Sequence, residues 1–95
     1  MDWEKPPSDF HYVLFERVDP EKNINRFYYL GWTRTIFDAG AVIRLWGRKG
    51  GQQQTVQPAP FDSLDEAWPL IRSIIKARLR NGYRVVEPVE FAQGG

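Results

Sequence analysis

The 95 residues contain no cysteine, one histidine and one methionine. Without cysteine there is no disulfide framework, no thiolate nucleophile and no thiolate zinc site, a composition that suits a reducing compartment. The lone His11 lies in a strand-forming stretch with no acidic partner nearby in sequence, so a structural or simply exposed role is expected for it. No run approaches the roughly 18 consecutive apolar residues of a membrane helix, and the opening Met-Asp-Trp-Glu-Lys-Pro-Pro lacks the apolar core of an export signal. A cytoplasmic location is therefore expected. Also missing are a paired-carboxylate motif and a phosphate-cradling glycine loop with its lysine and hydroxyl. The expectation is a non-catalytic module without metal or other cofactor.

What the chain has instead is aromatic surface, at 15% of residues, within a composition that is 42% hydrophobic and 26% charged. These proportions fit one compact domain with a modest core. The formal net charge is only +1, but residues 40–86 hold eight basic side chains against three acidic ones, and the remainder is acidic. A whole-chain charge near zero argues against a broad coat of nucleic acid, so a polyanion site should be small and local.

Along the chain, residues 1–9 are polar and proline-containing and read as a flexible arm, with Trp3 available to dock. Residues 10–18, rich in Tyr, Val and Phe, predict a first strand, ended by Asp19-Pro20-Glu21-Lys22-Asn23. A second strand is expected over 25–34, a connection over 35–40, a third strand from 41, and a fourth, edge strand over 52–61, where Pro58 and Pro60 cannot donate in a ladder. Ser63-Leu64-Asp65-Glu66 is a capping box. Leu64, Ala67, Trp68, Ile71, Ile74, Ile75 and Leu79 then repeat at helical spacing until Asn81-Gly82, predicting a helix over 64–81 with a flaw at Pro69. Arg72, Lys76 and Arg80 form a row on its outer side, for which a solvated face is expected. A last extended segment over 82–87 precedes a polar tail, residues 89–95. The expected fold class is α+β, a single antiparallel sheet of about four strands with one long C-terminal helix packed on one face, spanning residues 10–88.

The least ordinary stretch is 41–51. Ala41, Ile43 and Leu45 alternate with Val42, Arg44, Trp46 and Arg48, so an extended chain sends the two sets to opposite faces. With Ile43 and Leu45 directed to the core, an indole flanked by two guanidiniums stands on the other face. Gly47 is expected to leave that indole uncovered, and Lys49-Gly50-Gly51 to turn the chain. The alternation leaves two positions for Trp46, exposed or covered by a loop or the arm. If exposed, it can stack on a base or sugar while the arginines pair with phosphate oxygens.

These blocks are similar to those of the WGR domain, a family named for its Trp-Gly-Arg motif and found in DNA-damage-responsive poly(ADP-ribose) polymerases and in small bacterial proteins. Asn25-Arg26-Phe27-Tyr28 resembles its opening strand and Arg44-Leu45-Trp46-Gly47-Arg48-Lys49-Gly50 its defining strand and turn. Residues 61–83, with Glu66-Ala67, Lys76 and Gly82-Tyr83, resemble its closing helix. The run 35–40 and the position of Gly51 fit the pattern loosely, and no polymerase region is present. The resemblance implies contact with DNA near a strand break, the tryptophan stacking at a 5′ end and the motif arginine serving interdomain contacts as much as DNA. Two function classes stand. One is a module recognising DNA ends or breaks through Arg44, Trp46, Arg48 and Lys49, flanked by Arg26 and Tyr83, with Gly47 and Gly50 structural. The other is a protein-interaction adaptor using the same Arg and Trp surface as a hot spot.

Overall fold

The computed structural model describes residues 3–37 and 39–92. Met1 and Asp2 of the expected arm, Asp38 of the 35–40 connection and residues 93–95 of the expected tail lie outside them. The elements run β1 (Tyr12–Asp19), β2 (Ile24–Thr33), β3 (Gly40–Arg48), β4 (Gln53–Thr55), β5 (Ala59–Phe61), α1 (Leu64–Arg80), β6 (Arg84–Glu87) and α2 (Val89–Ala92). Every pairing is antiparallel, in the order β4-β3-β2-β1-β6, with β5 also on β3.

The class is α+β, with two corrections to the expected architecture. The sheet has six strands rather than about four. The single edge strand expected over 52–61 is two short strands, β4 opposite Leu45, Trp46 and Gly47, and β5 opposite Gly40, Ala41 and Val42. Between them, residues 56–58 face only Ile43 and Arg44, so the edge bulges, and Pro58 has no N–H for a ladder there. The helix is also not the last element. β6 returns to pair with β1, and α2 follows, carrying Phe91 into the core at 9% exposure.

Register decides which side chains share a face. Val13 lies opposite Leu30 and Phe15 opposite Tyr28, while Trp32 meets Val42 and Tyr28 meets Trp46. Val13, Phe15, Tyr28, Leu30 and Val42 thus form one apolar face, all buried. α1 covers that face with Ala67, Trp68, Ile71, Ile74 and Ile75, most of the predicted stripe, and only Leu79 in the last turn stays exposed. Ser63 Oγ accepts the Glu66 N–H at 3.1 Å, fixing the helix start. The helix continues through Pro69 because Pro69 and Asp65 are both exposed, so the carbonyl that loses its donor meets water.

The orientation of β3 is the reverse of the expected one. Val42, Arg44, Trp46 and Arg48 lie on the helix-covered face, and Ile43 and Leu45 on the face that α1 does not cover. Both parities of β3 carry apolar side chains, so alternation alone does not choose between them. The choice falls to cross-strand packing, which sets Val42 opposite Trp32 and Trp46 opposite Tyr28.

The chain ahead of β1 packs at the other end of α1. Trp3 stacks on Trp68 at 6.3 Å between ring centroids, meets Phe91 edge-on at 5.6 Å, and accepts the Trp68 indole N–H on its carbonyl at 2.7 Å. Glu4 pairs with Arg72 at 2.7 Å and Lys76 at 3.0 Å.

Candidate functional site

Arginines collect where the helix-covered face runs out from under α1. Arg17 stands opposite Arg26, and Arg26 opposite Arg48, so β1, β2 and β3 carry a row of three guanidinium side chains across the sheet. Like charges directly opposite one another destabilise a sheet. None of the three has a carboxylate partner among the described residues.

The last turn of α1 adds Arg78 and Arg80 through a Schellman turn. Gly82 takes φ +89°, its N–H reaches the Leu79 carbonyl at 3.3 Å, and the Tyr83 N–H reaches the Arg78 carbonyl at 3.0 Å. This closure brings Tyr83 back against Arg78. The Arg78 guanidinium carbon lies 4.9 Å from the centroid of the Tyr28 ring and 5.3 Å from that of Tyr83, a cation held between two π faces. Its Nε is buried with no hydrogen-bond partner among the described residues, which is uncommon for a buried donor.

Trp46 is half-buried. Its indole stacks on Tyr28 at 5.7 Å and 12°, and its Nε1–H donates to Gln54 Oε1 at 3.0 Å, so β2 and β4 hold it from both sides. Arg48 is fixed by Asn23, donating to the backbone oxygen and to Oδ1 at 3.0 Å each. Those two bonds leave further N–H donors of the guanidinium free. Arg26, Trp46, Arg48, Gln54, Arg78 and Tyr83 line a recess of about 480 Å³. A second recess of about 570 Å³ adjoins it, sharing Arg26, Arg78 and Tyr83 and adding Arg17 and Arg80.

Of the residues singled out in the sequence, the fold brings Arg26, Trp46, Arg48 and Tyr83 together. Arg44 shares their face but sits opposite Leu30, outside the recess. Lys49 is turned toward the other face, its Nζ 3.1 Å from Glu16 Oε2. Gly47 lines the same recess as Trp46, and a Cβ there would run into the backbone oxygen of Gln52 as the β3–β4 hairpin closes. Gly50, at φ +79°, makes the hairpin turn. Sequence reasoning missed Arg17, Tyr28 and Arg78, while Arg80, expected in a solvated row, is exposed at the rim of the second recess. A signal was available for Arg17, which continues the parity of Val13 and Phe15. Among the described residues no group of three His, Cys, Asp or Glu side chains is placed to hold a metal ion, and no helix is long and apolar enough to cross a membrane.

The sequence model of the WGR domain matches residues 11–90, most of the chain. The chain belongs to the WGR domain family. That family is one of non-catalytic nucleic-acid-binding modules. This WGR domain is also similar to an uncharacterized protein, y4dW, of Sinorhizobium fredii (strain NBRC 101917 / NGR234), with 28% identity over 72 residues, covering 76% of the chain and 35% of that protein. No solved structure matches it.

Proposed function

We propose that this WGR domain recognises DNA ends or strand breaks, with the terminal nucleotide seated in the Trp46 recess. One observation carries this reading. Three guanidiniums, from Arg26, Arg48 and Arg78, converge on a recess walled by Trp46 and Tyr83, and no carboxylate partner neutralises them among the described residues. Aromatic surface offers stacking to a base or sugar that only an unpaired end presents, while the guanidiniums match phosphate oxygens as charge-assisted donors. Arg44, farther along the same face, is left for the flanking backbone. Lys49, paired with Glu16 on the other face, plays no part at the terminal nucleotide.

The test is a titration with a labelled duplex carrying a 5′-phosphorylated nick, against a closed circular duplex of the same sequence, at two salt concentrations. The reading expects tighter binding to the nicked form at both. Equal affinity for the two would remove end recognition. Absence of binding at low salt would transfer the surface to a protein partner, for which Trp and Arg are common anchors.

A further inference from the structure

We propose that Arg17 and Arg80 form a second phosphate subsite, beside the Trp46 recess, that takes another phosphate group of the same nucleic-acid strand. The proposal rests on the nucleic-acid reading above and extends it to residues that reading does not use. The two recesses share Arg26, Arg78 and Tyr83, so together they present five guanidiniums along one continuous surface. A single phosphate group has too few free oxygens to engage five guanidinium forks, each of which can occupy two of them. The row Arg17, Arg26, Arg48 spans two inter-strand spacings, about 10 Å. That is wider than one phosphate group, so a single phosphate cannot span the row.

The local backbone is shaped for this. A Cβ on Gly82 would lie 3.3 Å from Arg17 Nε and 3.7 Å from its Cζ. The glycine that the Schellman turn requires also gives the Arg17 guanidinium room against the helix end. The same turn occupies the Arg78 and Leu79 carbonyls with backbone N–H donors, so these acceptors do not meet an incoming anion bare. Nothing in the fold explains the opposition of Arg17 and Arg26 as a stabilising contact, since like charges face each other there without an acid between them.

The experiment compares wild type, Arg80→Gln and the double variant Arg17→Gln/Arg80→Gln across a salt series, on a duplex with and without a 5′-phosphate. In parallel, each protein is melted with and without inorganic tripolyphosphate. Removing two phosphate contacts should flatten the slope of log affinity against log salt by about 1.8, and removing one by about 0.9. The preference for a 5′-phosphorylated end, read at Arg48 and Trp46, should not change. Tripolyphosphate should raise the melting temperature of wild type more than that of the double variant. Arg80 is exposed on the last helical turn, so its single variant reports even if loss of Arg17 disturbs β1. Slopes equal to wild type in both variants would overturn the subsite while leaving the nucleic-acid reading intact. If wild type binds no duplex, that reading falls. The subsite then survives only if tripolyphosphate stabilises wild type and not the double variant, and it is overturned if both respond alike.

Discussion

Tyr28 organises the site although it is only 7% exposed and offers little surface to a ligand. Its ring supports Trp46 face-on, meets Phe15 and Tyr83 edge-on at 6.4 Å each, and lies under the Arg78 guanidinium. Tyr28→Ala should therefore cost about 3–5 kcal/mol of stability, as truncation of a buried aromatic does, and weaken DNA binding by releasing Trp46 and Arg78 together. Tyr28→Phe keeps the ring and should leave urea melts and DNA titrations near wild type. An Ala variant that melts like wild type would show that the ring ladder is not formed in solution. Trp46→Ala should weaken DNA binding by about 1–3 kcal/mol, one stacking contact, without changing the salt slope, because no charge is removed. The same variant should lose about 0.5–1.5 kcal/mol of stability beyond its buried area, the value of a stacked aromatic pair. Trp46 and Arg48 were legible in the sequence because a strand's alternation puts them side by side whatever the fold around them. Arg17, Arg26 and Arg78 lie on three different elements, and their meeting is set by strand register and a helix-end turn. Residue types along a single strand do not encode that meeting.

At the scale of elements, α1 was the most legible because its signals are local. Ser63 starts it, the apolar period carries it, and Asn81-Gly82 stops it. Ile71, fully buried against the sheet, should cost about 2–5 kcal/mol when changed to Ala. Ser63→Ala should cost about 0.5–2 kcal/mol through the lost cap. Equilibrium urea unfolding separates these, and an Ile71→Ala midpoint equal to wild type would mean that another helix face is buried. The strands were less legible where their identity depends on a neighbour. β3 has apolar residues on both parities, so its face is chosen by Trp32 and Tyr28 across the ladder. β4 and β5 look like one segment until the bulge at 56–58 separates their pairings. Phe91 stands isolated in a polar tail by sequence, and in the fold Trp3 and Phe10 pack on it from the other end of the chain.

For the whole molecule, a net charge of +1 conceals a division of labour between two sets of cations. Arg72 and Lys76 share the Glu4 carboxylate and Lys49 pairs with Glu16, while Arg17, Arg26, Arg48, Arg78 and Arg80 have no carboxylate partner among the described residues. Two models of DNA binding then make opposite predictions. If a diffuse positive field drives binding, Arg72→Gln/Lys76→Gln, which takes the formal charge from +1 to −1, should weaken it more than Arg26→Gln, which takes the charge only to zero. Lys76 stands four residues, about 6 Å along the helix axis, from Arg80, well inside the screening length of about 10 Å at 0.1 M salt. A field would therefore register its loss. If specific phosphate contacts in the recess drive binding, the order reverses. Arg26→Gln should flatten the salt dependence by about 0.9, and the Arg72/Lys76 double variant should leave the slope at its wild-type value. Its effect on stability should stay below about 1 kcal/mol, because Glu4 is 61% exposed and pairs of that kind are screened by water. Measuring the three proteins on one nicked duplex across a salt series decides between the models. A slope that falls further for the Arg72/Lys76 variant than for Arg26→Gln would show that helix α1, and not the recess at its end, carries the nucleic acid.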